Sequence, residues 1–280
     1  MKTMLRTFLL IATLAAGTSS FAAESVAFVT NLKGEVAIDG GSRPLLMSEL
    51  GKGQKVTVGK DATLSVMFIQ SGKEYVLKGP GEFAVGEREM TVGSGMPPSS
   101  RETAWRASGD VLVKVAQTQS ASIRMRSMAP AKPVASMRLE FPVRGAVSTL
   151  QPVLRWVAGE SKAPAEVTVV PAGAEDKPVV KAKSTGTTLK VPARLKPDAE
   201  YTWSVSVAGT EIGKASFRTL PAASIDKAEK RRPSDKAEFS DRALYALLLQ
   251  ELGATQEAAE LWGRLAQERG DLPEIAALAK

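Results

Sequence analysis

Between residues 50 and 85, apolar and polar side chains alternate in short runs separated by turn-forming residues. The alternating apolar positions are Val56 and Val58; Leu64, Val66 and Phe68; Tyr75 and Leu77; Phe83 and Val85. A period of two residues, with Gly, Asp or Ser-Gly in each gap, predicts consecutive short β-strands that turn one face to a shared core. Met67 and Ile69 place apolar side chains on the other face as well, which predicts a central position for the strand around Leu64–Phe68.

Glycines and small residues punctuate this stretch in a fixed order. The order is Gly34-Glu35-Val36, then Leu50, Gly53, Val56, Val58, Gly59, Asp61, Ala62, Leu64, Val66, Phe68, Ser71 and Gly72. It resembles the FecR domain of bacterial envelope proteins over about residues 24–95. The resemblance implies a periplasmic β-domain of roll or sandwich type, assigned here to residues 23–95. The namesake regulators carry a cytoplasmic anti-sigma segment and a membrane span ahead of this domain; neither is expected here, so their signalling role is not implied.

A second β-domain is predicted over residues 139–220. Trp156 closes an early strand-like run, and Leu195-x-Pro197-x-x-x-Tyr201 leads into a late one. This pattern resembles a fibronectin type III sandwich, in which the tyrosine ties the corner between two strands to the sandwich. Trp156, Tyr201 and Trp203 could instead form a sugar-stacking trio. Because Tyr201 and Trp203 lie two residues apart and share a face, core packing is favoured.

From residue 240 to residue 280 the composition becomes helical. Residues 242–252 end at Gly253, a favoured residue just after a helix, and residues 255–266 place apolar side chains on one face. Pro273 opens a further short helix. The segment resembles one tetratricopeptide repeat, through Ala246, Leu249, Gly253, Ala258, Trp262 and Leu265.

A single helical repeat buries little apolar surface alone, so its apolar face needs something to cover it. The candidate partner-docking residues are Leu249, Ala258, Leu261, Trp262 and Leu265. They are expected to dock on helices of another envelope protein, on a second copy of the chain, or on the chain's own sandwich domain. The sequence leaves these alternatives open.

The basic excess of the chain lies mainly between the two β-domains. The chain has a net charge of +7, and residues 96–138 carry seven basic and two acidic side chains. This basic extension and linker includes runs 111–115 and 122–126, which alternate enough to be strands of the first sheet; residues 221–239 are interpreted as a second linker. Candidate contacts to an anionic surface are Arg101, Arg106, Lys114, Arg124 and Arg126. The competing interpretation is an ordinary solvated strand face.

Residues 1–22 predict a cleavable secretory signal peptide. A basic start, an apolar run of about ten residues and small residues up to Ala22 are typical of such a signal, and the run is too short to span a bilayer. No later stretch is long and apolar enough to span, so no transmembrane span is expected after cleavage. The sequence has no cysteine, which excludes lipid attachment and disulfides. A periplasmic location is therefore expected.

The absence of histidine and cysteine narrows the available chemistry. It removes Ser-His-Asp and Cys-His catalysis, the usual zinc ligand sets, histidine-ligated haem and iron–sulfur clusters. No cofactor and no metal are expected. Ser224-x-x-Lys227 matches a nucleophile motif but falls in a predicted linker. Glu82, Glu87 and Glu89 could supply paired carboxylates for glycoside hydrolysis, but solvated strand charges are the favoured interpretation.

The sequence thus predicts a mainly β protein: a FecR-like β-roll or sandwich, a fibronectin-type β-sandwich and a small C-terminal α-helical hairpin. We expect a non-enzymatic periplasmic binding or scaffold protein. Its expected partners are an envelope protein, bound through the C-terminal helices, and peptidoglycan or another anionic envelope polymer. No nucleic-acid partner is expected, because aromatic and basic residues do not interleave. The alternative is an accessory regulator of envelope signal transduction that acts in trans through the FecR-like domain.

Overall fold

The computed structural model describes residues 25–105 and 137–279, apart from residues 160, 162 and 175. Strands dominate, and helices form a small part after residue 221, which confirms the predicted mainly β fold. Runs 111–115 and 122–126, predicted as strands of the first sheet, lie outside the described residues. No described helix is both long enough and apolar enough to cross a membrane.

The first β-domain is a sandwich of two antiparallel sheets. One sheet has the order β3-β1-β5-β6-β9 and the other has the order β2-β4-β7-β8. The strands are β1 Ser25–Lys33, β2 Val36–Ile38, β3 Glu49–Gly51, β4 Lys55–Val58, β5 Thr63–Phe68, β6 Lys73–Lys78, β7 Gly81–Val85, β8 Met90–Ser94 and β9 Ser99–Glu102. The alternating apolar positions are buried between the sheets, and β5 is central in its sheet, as the sequence predicts.

The first domain extends further along the chain than the sequence indicates. The predicted boundary at residue 95 is too early, because β9 pairs with β6 and Trp105 is buried in the same core. Pro97 and Pro98 form a break between two strands of one domain and do not begin a linker.

The second β-domain is also a sandwich, of a three-stranded and a five-stranded sheet. The sheet orders are β10-β12-β15 and β11-β17-β16-β13-β14, with β11 parallel to β17. The strands are β10 Arg138–Phe141, β11 Ala146–Val147, β12 Val153–Val157, β13 Ala165–Pro171, β14 Val180–Ser184, β15 Thr188–Lys190, β16 Glu200–Val207 and β17 Thr210–Thr219. Trp156, Tyr201 and Trp203 are all buried in its core, which confirms the packing interpretation. The Tyr201 hydroxyl accepts a hydrogen bond from the backbone N–H of Lys196 at 2.9 Å, so it ties the corner before β16.

Four helices follow among the described residues: α1 Ala222–Arg231, α2 Phe239–Glu251, α3 Thr255–Glu268 and α4 Pro273–Leu278. Helix α1 corrects the sequence interpretation of residues 221–239 as a linker. Ile225 and Ala228, three residues apart, are buried on one side of α1, and this packing stabilises a helix whose polar composition resembles a linker. Gly253 has φ of +90° directly after α2, as its predicted place beyond a helix end requires.

Helices α1 to α4, called here the helical module, share one core with the first sandwich. A single cluster of buried apolar residues runs from β1 and β5 of that sandwich to α2, α3 and α4. Leu150 and Leu220 of the second sandwich join the same cluster. The helical module therefore lies in contact with both sandwiches and covers the core of the first.

Candidate functional site

The five predicted docking residues lie inside the protein. Leu249, Ala258, Leu261, Trp262 and Leu265 are between 0% and 8% exposed and belong to the core shared with the first sandwich. Their amphipathic pattern is satisfied within the chain, because helices pack their apolar face against whatever apolar surface is available. The predicted partner-docking face is thus not exposed. Of the three alternatives, which were another protein, a second copy and the chain itself, the structure shows docking within the chain. The domain it covers most is the first one.

Arg101 is half-buried and engaged in contacts within the chain as well. Its guanidinium pairs with Glu74 and with Asp241, the latter at 2.8 Å, and donates a further hydrogen bond to the Ser240 hydroxyl at 2.8 Å. Glu74 is only 1% exposed and also accepts a hydrogen bond from Thr30. A buried carboxylate such as Glu74 needs a cation and hydrogen-bond donors to offset its loss of water, and Arg101 supplies the cation. Because Arg101 also pairs with Asp241, it joins β6 and β9 to α2 and is not a free surface cation.

The other four candidate contacts to an anionic surface are Arg106, Lys114, Arg124 and Arg126. All four lie outside the described residues. Their role stays a prediction from the sequence, and it now rests on these four without Arg101.

Helix α3 carries a polar stripe that faces the second sandwich. Gln256 donates to the carbonyl oxygen of Glu140 and accepts from the N–H of Val143, while Glu260 pairs with Arg155. Next to them, Glu257 accepts hydrogen bonds from both the backbone N–H and the hydroxyl of Ser148, at 3.0 and 2.5 Å. Residues at these spacings lie on one side of a helix. Helix α3 thus directs its apolar side into the shared core, where it packs against α2 and α4, and its polar side toward the second sandwich.

The Glu257 carboxyl is the most buried acid of this junction. Burial raises its pKa above the ordinary glutamate value, and the two Ser148 hydrogen bonds and nearby Arg232 lower it only in part. A carboxyl group in this setting resists ionisation, because removing a charge from water is costly. We therefore expect the stability of the junction between the second sandwich and α3 to depend on the protonation of Glu257.

Arg269 fastens the end of α3 to the first sandwich. Its guanidinium donates hydrogen bonds to the Asn31 side chain and to the Leu32 carbonyl oxygen of β1, and it pairs with Asp271 at 2.8 Å. It also lies 5.1 Å from the centre of the Phe239 ring. These contacts link strand β1 to residues more than 200 positions later in the chain, which no local sequence pattern can indicate.

The remaining sequence motifs do not form a reactive cluster in the described residues. Ser224 and Lys227 lie in helix α1 and not in the predicted linker. Glu82, Glu87 and Glu89 are exposed, and Glu87 pairs with Lys52 at 3.0 Å. Within residues 25–105 and 137–279, no group of three or more acidic side chains could hold a metal ion.

The helical module has a pocket that the sequence does not indicate. It has a volume of about 420 Å³, and its lining includes three arginines. They are Arg232 after α1, Arg242 of α2 and Arg264 of α3. The individual arginines are visible in the sequence, but only the packing of α2 and α3 and the path of residues 232–235 bring them together. No spacing in the sequence signals such a pocket.

In comparisons with known proteins, no family model and no curated protein matches the chain.

Proposed function

We propose that this chain is a non-enzymatic binding and scaffold protein of the bacterial envelope, exported to the periplasm. The observation that carries the proposal is the helical module, which contacts both sandwiches and shares a core with one of them. A FecR-like domain, a fibronectin-like domain and a tetratricopeptide-like hairpin assembled into one unit suit a protein that holds other molecules.

Assembly of the domains before binding lowers the conformational-entropy cost of binding a partner. Contacts made by Arg101, Glu257 and Arg269 hold the domains against one another before any partner arrives. A binding surface on such a unit loses less conformational freedom on association than one on separate, linked domains. The scaffold function proposed here therefore depends on the helical module as an internal brace, and recognition falls to surfaces outside its buried apolar face.

Recognition is assigned in this proposal to an anionic envelope polymer such as peptidoglycan, contacted by the basic residues between the sandwiches. Arg106, Lys114, Arg124 and Arg126 are four of the five basic residues between positions 103 and 137. Clustered positive charge attracts an anionic polymer over about 10 Å at 0.1 M ionic strength, and added salt weakens the attraction.

The test is co-sedimentation of the mature protein with purified peptidoglycan over a range of salt concentrations. A variant with Gln at positions 106, 114, 124 and 126 removes four positive charges. The matched control places Gln at Lys177, Lys181, Lys190 and Lys196, four exposed lysines of the second sandwich, and removes the same charge elsewhere.

We expect the wild type and the control to sediment at low salt, and the first variant to remain in solution. Equal loss in both variants would show that net charge alone is responsible and would refute the assigned surface. Absence of sedimentation by the wild type would refute the polymer as ligand. Crosslinked capture from whole envelopes then tests the remaining partner class, an envelope protein, and failure of both assays would overturn the scaffold function.

A further inference from the structure

The pocket on the helical module has an unusual lining for a structural cleft. Two helices each contribute residues three positions apart, Arg242 and Tyr245 from α2 and Leu261 and Arg264 from α3. Residues at this spacing lie on one side of a helix, so each pair faces the same space. The chain between α1 and α2, including Arg232, closes the third side.

The arginines of the pocket differ in how far they are already engaged. Arg242 makes a bidentate pair with Glu268, at 2.6 and 2.7 Å, and donates from Nε to the Ala237 carbonyl oxygen at 3.1 Å. A guanidinium has five N–H donors, so two of them stay available on a group held in a fixed orientation. Hydrogen bonding to Glu268 raises the pKa of Arg242, a guanidinium that is positively charged at physiological pH in any case.

Arg232 is positioned by a ring and a hydroxyl. Its guanidinium lies 5.7 Å from the centre of the Tyr245 ring and 3.4 Å from the Ser148 hydroxyl. Stacking on an aromatic face orients a guanidinium while most of its donors stay free. Arg264 is exposed at the pocket and has no ion pair within the described residues. One arginine is thus fixed by an acid, one by a ring, and one is free to close on a ligand.

We propose that this pocket binds a phosphate-type oxyanion carried on a larger molecule. Arginines from three elements line it, and planar guanidinium groups match the oxygens of a phosphate with paired hydrogen bonds. The volume of about 420 Å³ is within the range of small-molecule sites, about 300–1,000 Å³, and exceeds the space that one phosphate group fills. Ser234, also in the lining, adds a hydroxyl donor.

One acid in the lining, Asp235, opposes an anion and gives the proposal a second, opposite test. Removing its charge strengthens binding if an anion occupies the pocket, whereas removing the charge of Arg264 weakens it. A structural role for the pocket predicts no such opposite pair of effects. The site uses none of the basic residues between the sandwiches, so its test and the test of the proposed function fail independently.

The experiment is an NMR titration of the intact mature protein with inorganic phosphate, at constant ionic strength set by sodium chloride. Arg264→Gln and Asp235→Asn are compared with the wild type. Arg194→Gln, at an exposed position of the second sandwich, is the matched control. We expect saturable shifts at the backbone amides of Arg232, Ser234, Asp235 and Arg264. A lost charge-assisted contact makes binding about tenfold weaker in Arg264→Gln, and Asp235→Asn binds more tightly than the wild type.

The proposal would be overturned by shifts that do not saturate, by saturable shifts confined to other residues, or by equal affinity in Arg264→Gln and the wild type. Saturable binding weakened equally by Arg194→Gln would also overturn it, because the effect would then be general. A second arm identifies the source of the phosphate, with vesicles of phosphatidylglycerol and of phosphatidylcholine. Binding to phosphatidylglycerol vesicles that Arg264→Gln abolishes assigns a lipid headgroup, and phosphate binding without vesicle binding assigns a soluble phosphate ester.

Discussion

Replacing Trp262 by alanine tests whether the C-terminal helices belong to the folded core of the chain or form a tail that docks on another protein. Trp262 is fully buried in the core that α2, α3 and α4 share with the first sandwich. Truncation of a buried tryptophan to alanine costs about 3–5 kcal/mol, from lost burial and from the cavity that remains. A loss of about 3 kcal/mol lowers the folding equilibrium constant more than a hundredfold, at about 1.4 kcal/mol for each factor of ten.

The assay is urea unfolding combined with hydrogen exchange read by mass spectrometry. Because the core is continuous, we expect Trp262→Ala to speed exchange in β1 and β5 of the first sandwich as well as in α3. Peptides from β16 and β17, whose apolar side chains belong to the separate core of the second sandwich, serve as the internal control. Trp262→Phe keeps most of the ring volume and should lose much less stability.

A shared core would be contradicted if Trp262→Ala lowers the free energy of unfolding by less than about 1 kcal/mol, or if β1 and β5 keep their protection from exchange while α3 loses it. Either result would mean that the helices fold apart from the first sandwich. The apolar face of α3 would then be available to another protein, as the sequence alone allows.

Three further changes test single contacts. Arg101→Ala leaves the buried carboxylate of Glu74 without its cation, so we expect the free energy of unfolding to fall by about 3 kcal/mol; an unchanged urea midpoint would contradict this. Tyr201→Phe leaves the Lys196 N–H without its acceptor and should cost about 1–3 kcal/mol, with exchange raised in the second sandwich alone. Burial raises the folded-state pKa of Glu257, so the folded protein holds this proton more tightly, and stability should fall as pH rises from about 4.5 through that raised pKa. Glu257→Gln should remove this dependence of stability on pH. The same pH dependence in Glu257→Gln and the wild type would refute its assignment to Glu257.

The strands follow from sequence because their signal is local. Alternation around Val56 and Leu64 fixes which side chains face inward, and apolar residues on both faces of β5 predict its central place. The same holds for Tyr201 and Trp203, which a shared strand face directs into one core. Each of these inferences uses residues that are only a few positions apart.

The parts that sequence does not predict depend on distant residues. Helix α1 is polar enough to be interpreted as a linker until Ile225 and Ala228 are seen against the core. Arg101 looks like a surface cation because Asp241 lies 140 residues away. Similarly, an apolar helix face indicates that something covers it but not what. The arginine pocket is the extreme case, since three separate elements create it.

The shared core also affects the order in which the chain can fold. Synthesis completes β1 well before α3, yet β1 can accept its hydrogen bond from Arg269 and pack against α2 only after those later residues have been made. Contacts between residues so far apart in sequence form late and slowly, because the intervening chain must close first. We therefore expect the face of the first sandwich that the helices cover to stay exposed until the last helices are in place. Proteolytic loss of those helices would expose the surface of the first sandwich that they cover. An intact helical module is therefore expected to protect the first sandwich from degradation.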